Sequence, residues 1–201
     1  MRHKGINKEQ TRQKMLEATV QGFRKHGYAG IGVDGLAKAG GVTSGAFYAH
    51  FGSKDGAFKA ALTAGLNEVI VAIPEFQAKF GTDWVKAFAD YYLGKPHRND
   101  LASSCAMATL TTEVVRFGAD IHADYEKKMA VIATLIADGL AGGSDEERRD
   151  RGWSMLGILI GGVNIARAMK SNKAAEEVAG AIKASAIKAA GRTHANLKGT
   201  L

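Results

Sequence analysis

The chain has 201 residues, of which 46% are hydrophobic, 23% charged and 7% aromatic. That is enough to bury a core without staples, and it excludes disorder, collagen and a disulfide scaffold, while two prolines and abundant alanine run against a sandwich or barrel. The formal charge of +7 is uneven, with nine Lys or Arg and four acids in residues 1–55 against 18 and 16 in the remainder. A basic segment of this kind meets a polyanion at one end of the chain, or is a plain solvated face.

The first residues, MRHKGINKEQTRQK, are too polar for a secretory leader. The longest apolar stretch, around Met155 to Val163, falls short of the ~18 residues of a membrane span. Cys105 has no partner cysteine in the chain, which fits a reducing compartment. The expectation is a soluble cytoplasmic protein with no membrane partner.

In chain order, the spacing predicts a first helix over about Lys8–His26, with Leu16, Val20 and Phe23 on one face, Asn7 as cap and Gly27 as stop. Short helices follow over Val33–Ala39 and Ser44–His50, separated by Gly40 and Gly41, with Thr43 capping the second. A longer helix starts at Ser53 and runs to about Ala72, with Pro74 closing it. Five more helices are expected, near Thr82–Leu93, Asp100–Phe117, Ala119–Ala141, Asp145–Lys170 and Lys173–Ala190. Ser144 and Glu147 make a capping-box pattern at the fourth of these.

The informative stretch is VDGLAKAGGVTSGAFYAHFGSK, residues 33–54. It reads as helix, glycine turn, helix. Ala37 allows close helix approach, Gly41 tolerates a left-handed backbone, and Leu36, Val42 and Phe47 can bury beneath the pair. The outer face of the second helix is then free to enter a major groove. Ser44, Gly45 and Ala46 are small enough for close approach, and Tyr48, His50 and Lys54 add reach. Thr43 stands at a positive helix end that favours phosphate. The plain alternative is a helical hairpin whose small residues only pack.

The segment resembles the DNA-binding domain of the TetR/AcrR family of bacterial transcriptional regulators. The resemblance rests on Phe23, Gly27-Tyr28, Val33, Leu36, Ala37, Ala39, Gly41-Val42, Gly45, Phe47-Tyr48, His50-Phe51 and Lys54, across about residues 10–60. It implies an all-α fold of about nine helices, with a three-helix helix-turn-helix DNA-binding domain (1–55) and a larger ligand-binding and dimerisation domain (56–201). It also implies that Thr43, Tyr48, His50 and Lys54 hold or flank phosphates of double-stranded DNA, and that Ser44, Gly45 and Ala46 face base edges. Phe47 and Phe51 would be core. Gly32 departs from the Ser or Thr usual as the cap of the second helix. The implied function is a homodimeric, ligand-responsive regulator, most simply a repressor that leaves a pseudo-palindromic operator when a small molecule binds.

The dimer would use the last two helices, the first of which carries Gly157, Gly161 and Gly162. Phe88, Tyr91, Tyr92, Cys105, Thr109, Tyr125 and Trp153 are the candidate ligand residues, and their character suits a small apolar or aromatic ligand. Cys105 reads either as an inert core thiol or as a sensor of oxidants or electrophiles. A different class, a helical enzyme or small-molecule carrier using Cys105 or His122, lacks a second convergent group in sequence. No cofactor or metal is expected, because the six histidines are scattered and no C-x-x-C or H-x-x-x-H spacing occurs.

Overall fold

The computed structural model describes residues 2–194, with side chains from Glu9 onward. The described residues are helical nearly throughout, with no strand beyond a single bridge between Leu140 and Thr193. In order they form α1 (Arg2–His26), α2 (Val33–Ala39), α3 (Ser44–Phe51), α4 (Lys54–Phe80), α5 (Trp84–Tyr92), α6 (Lys95–Asn99), α7 (Ala106–Thr109), α8 (Thr111–Val114), α9 (Ala119–Asp138), α10 (Asp145–Ala168) and α11 (Asn172–Ala190). Nine of these exceed a single four-residue turn, which matches the expected all-α architecture.

The chain packs as two units. The first comprises residues 1–66 and 100–125, the second residues 67–99 and 126–201. A segment from mid-chain therefore completes the N-terminal unit.

In the first unit, α1 buries Met15, Thr19, Val20, Phe23 and Arg24 along one face. Gly22 sets how closely α2 approaches, since a methyl there would stand 2.6 Å from Leu36 Cδ2. Phe23 and Tyr28 join Phe58 of α4 and Phe117 in a ring cluster, with centroids 4.5–5.9 Å apart. Glu113 of α8 accepts the Tyr28 backbone N–H at 3.2 Å. Residues 100–125 are thereby tied to the end of α1.

In the second unit, Trp84, Phe88 and Tyr92 of α5 are buried, and Trp84 Nε1 donates to the Gly139 carbonyl at 3.1 Å. α10 starts on a complete capping box between Ser144 and Glu147, as its sequence predicts. It buries Met155, Leu156, Leu159 and Val163.

Four expectations are corrected. α1 begins at Arg2, so Asn7 lies inside the helix rather than at its cap. Pro74 lies inside α4 and does not close it. A mid-helix proline costs about 3 kcal/mol, but the following turn is held by packing. Ile73 is fully buried, Phe76 packs on Phe80 and Phe88, and Gln77 donates to the Leu135 carbonyl at 2.7 Å. This region is also apolar and long enough to cross a membrane by length and composition, unlike the shorter stretch around Met155. Leu62, Leu66, Val69 and Ile73 spend much of that character in the core.

The third correction concerns residues 100–117, which are not one helix. Asp100 takes the Ala102 N–H at 3.0 Å and the Ser103 hydroxyl at 2.6 Å, a local turn that competes with helix. Thr109 and Thr111 then bond back to the carbonyls of Cys105 and Met107, and only the single turns α7 and α8 form. The fourth is α6, which was not expected at all. Pro96 sits in its first turn, where a missing N–H is harmless.

Candidate nucleic-acid interface

The turn between α2 and α3 is built as the sequence requires. Gly40 N–H bonds the Leu36 carbonyl at 3.0 Å, and Val42 N–H bonds that of Ala37 at 3.0 Å. Gly41 between them has φ 69°, a left-handed backbone that a side chain would strain. Leu36, Ala37 and Phe47 are buried beneath the pair, and Val42 is half-buried. Gly32 caps α2 through its backbone alone, with no side-chain bond.

α3 presents a face with no large apolar group except Tyr48. Thr43 caps the helix by accepting the Ala46 N–H at 3.2 Å. Gly45 and Ala46 are exposed, and Tyr48 is 50% exposed while its neighbour Phe47 is fully buried. Phe51 is half-buried, with its ring 4.8 Å from Phe47. An exposed tyrosine beside small residues at an open helix N-terminus suits a surface that must approach another closely.

Three predicted residues have partners that the sequence pattern does not show. Ser44 Oγ donates to Asp34 Oδ1 at 2.5 Å. Its hydroxyl proton is thereby committed, and its lone pairs are what it offers outward. His50 is half-buried against Phe51, at 4.5 Å between centroids. Burial first, and then the charge of Arg12, hold its pKa below 6.5, with Glu9 pulling the other way. Lys54 Nζ stands 4.3 Å from the centroid of the Tyr28 ring. Lys54 opens α4, where a cation is disfavoured by the helix dipole. The ring face stabilises it there. The Tyr28 hydroxyl in turn donates to Asp55, and burial with that bond pushes its pKa up to about 12.

Thr43, Gly45, Ala46 and Tyr48 are thus exposed at α3, and Ser44 is half-buried. His50 lies beside α1, and Lys54 lies against Tyr28. Asp34, Arg12 and Tyr28 are the residues that pattern reading missed. Asp34 reaches Ser44 across the α2–α3 turn, Arg12 comes to His50 from α1, and Tyr28, just past α1, meets Lys54 of α4; no spacing rule encodes these neighbours.

Residues 15–61 match the family model described as bacterial regulatory proteins, tetR family. The matched stretch runs from within α1 into the first turns of α4 and contains the α2–α3 hairpin. TetR-family regulators are DNA-binding, ligand-responsive transcription regulators with a helix-turn-helix domain. The reduced form of NemR from E. coli is similar over 87% of this chain and 96% of its own, with TM-score 0.71 and 21% identity. A TetR transcriptional regulator from Legionella pneumophila covers 85% of this chain and 94% of its own, with TM-score 0.70 and 16% identity. One from Agrobacterium tumefaciens covers 88% and 97%, with TM-score 0.68 and 15% identity. At such identities the likeness is one of fold. Comparison with curated proteins finds no significant match.

The candidate ligand residues fall in both units. Cys105, Thr109 and Tyr125 belong to the first, and Phe88, Tyr91, Tyr92 and Trp153 to the second. In the first unit, the Tyr125 hydroxyl pairs with Thr111 at 2.9 Å, a residue the sequence reading passed over for Thr109. Burial raises the Tyr125 pKa, the Thr111 bond lowers it, and the nearby Cys105 thiol adds a further rise. In the second unit, Phe88 and Tyr92 are buried and 5.7 Å apart between centroids, while Tyr91 is 55% and Trp153 39% exposed. Among the described residues, no three His, Cys, Asp or Glu side chains converge on a point that could hold a metal.

Proposed function

We propose that this chain is a TetR-family regulator, a cytoplasmic repressor that binds a pseudo-palindromic operator as a homodimer and is released by a small apolar or aromatic molecule. Residues 1–55 carry DNA contact, and residues 56–201 carry ligand response and dimerisation. The observation that carries the reading is the α3 surface: Tyr48 is half exposed over a buried Phe47, beside Ser44, Gly45 and Ala46 at a capped helix start. Thr43, Tyr48, His50 and Lys54 hold phosphates, and Ser44, Gly45 and Ala46 meet base edges.

Support for the dimer comes from α10. Trp153, Gly157, Gly161 and Ile165 recur every four residues along it, and Trp153 and Ile165 are among the chain's exposed large apolar groups. Among the described residues, a methyl added at Gly157 or Gly161 would meet nothing within 4 Å. Gly180 on α11 is equally open. Such a stripe lets a second copy approach closely, and Trp153 is assigned to it rather than to the ligand. Gly162 differs, since it faces Ile182 of α11 within the same subunit.

For ligand response, the tie between Glu113 and Tyr28 gives residues 100–125 a grip on the end of α1. A ligand that bound Cys105, Thr109 or Tyr125 preferentially in one arrangement would bias α1, and with it the spacing of the two reading helices. Phe88, Tyr91 and Tyr92 are the aromatic ligand candidates of the second unit, separate from these. The chain performs no catalysis in this reading. A mobility-shift titration on DNA flanking its own gene tests it. Saturable binding that weakens steeply with salt supports DNA recognition. No shift at low salt on any fragment would contradict it.

A further inference from the structure

We propose that the second unit carries an oxyanion site of its own, where α6 meets the end of α10 and the start of α11, suited to a carboxylate or a phosphate group. The proposal is independent of the DNA reading. It starts from Arg98, whose side chain is only 5% exposed. A guanidinium has five N–H donors. Arg98 makes one side-chain hydrogen bond among the described residues, from Nη2 to Glu176 Oε1 at 2.6 Å, and its buried Nε has no partner. A cation buried with so few acceptors is costly and calls for another anion.

Its surroundings are arranged for one. Glu176 is half exposed and is shared with Lys95, whose Nζ stands 3.7 Å away. Arg167 comes to the same place, with Nη2 on the His97 carbonyl at 2.7 Å and Nε on that of Arg98 at 3.4 Å. α11 begins here as well. Ser171 uses its hydroxyl for the Ala174 N–H and its carbonyl for that of Ala175, which leaves the Asn172 N–H at the positive end of a 19-residue helix.

Lys95, Arg98, Arg167, Asn172 and Glu176 line a cavity of about 150 Å³, with three cations against one acid. That volume holds a single small oxyanion. A second cavity of about 480 Å³ shares Lys95, Arg98 and Glu176, and would take the body of an organic acid. The ligand's oxygens would supply acceptors that Glu176 alone does not.

The test is calorimetric titration and thermal unfolding of the full chain with inorganic phosphate and, separately, sodium acetate and succinate, at constant ionic strength in chloride. Saturable binding of phosphate or of a carboxylate is expected, and the two arms tell which group the site prefers. Lys95→Ala, at an exposed side chain, should weaken binding about fivefold through the lost ion pair. Glu176→Gln removes the internal competitor, so the same anion should bind that variant more tightly and raise its melting temperature more than that of the wild type. Absence of saturable binding by all three anions would overturn the proposal. So would binding that neither substitution changes.

Discussion

The two kinds of glycine on α10 give the sharpest separation between internal packing and subunit contact. A methyl at Gly162 would lie 2.1 Å from Ile182 Cγ2, 2.8 Å from Cγ1 and 2.9 Å from Cβ. Carbon atoms settle at about 3.5–4.0 Å. A new rotamer of Ile182 moves the γ carbons but not the Cβ, so α11 itself must shift by roughly 1 Å. Overpacking of this kind costs about 1–3 kcal/mol, and the helix-propensity gain of alanine returns at most about 1 kcal/mol. Gly162→Ala should therefore destabilise the subunit by about 1–2 kcal/mol. Among the described residues, a methyl at Gly157 or Gly161 would meet no neighbouring element within 4 Å. Gly157→Ala and Gly161→Ala should each stabilise an isolated subunit by about 0.5–1 kcal/mol, yet each pushes a second α10 away and should weaken the dimer. Urea unfolding at several protein concentrations, paired with sedimentation velocity, reads both effects. A Gly161→Ala protein with an unchanged dimer constant would remove the α10 stripe from the interface. A Gly162→Ala protein as stable as the wild type would refute the α10–α11 contact.

Three further outcomes concern the DNA surface. Lys54→Ala should lower operator affinity on every sequence and flatten the slope of log affinity against log salt by about one unit per subunit; an unchanged slope would take Lys54 out of phosphate contact. Because Asp34 holds the Ser44 proton, the wild type should favour an adenine or cytosine amino group opposite Ser44. Asp34→Ala should relax that preference by about 1 kcal/mol, measured by competition among operators changed at single positions, and an unaltered preference would contradict the arrangement.

His50 has a folded pKa below its ordinary value, so its contribution to stability is present above pH 6.5 and is lost as pH falls through the lowered pKa. DNA binding should respond in the opposite sense. Nearby phosphate favours the imidazolium, so operator affinity should rise as pH falls from about 7 toward 6. His50→Gln should flatten that rise, and an identical pH profile would exclude His50 from the contact.

How much could be read in advance differs along the chain for physical reasons. The α2–α3 hairpin was legible because its determinants are local: Gly41 needs a left-handed backbone, Thr43 caps, and Phe47 points inward. The capping box at Ser144 was legible for the same reason. Pro74 misled because tertiary packing of Ile73, Phe76 and Gln77 outweighs a local breaking signal. Residues 100–117 misled in the other direction. Their apolar spacing suits a helix, but the Asp100 side chain takes the Ala102 N–H and the Ser103 hydroxyl in a local turn that competes with one. The bond between Ser44 and Asp34, the seat of Lys54 on Tyr28 and the under-paired Arg98 depend on how helices cross. Those positions acquire meaning only in three dimensions.

The central claim is that the exposed face of α3 enters the major groove, once per subunit of a dimer. Selection of bound fragments from random DNA, followed by hydroxyl-radical footprinting with wild-type and Tyr48→Ala proteins, tests it most directly. The wild type should protect two half-sites whose centres lie about one helical turn apart. Tyr48→Ala, a change at a half-exposed side chain that leaves Phe47 in the core, should fold normally and lose that protection. A wild-type footprint from the folded variant, or protection of a single half-site only, would contradict the claim.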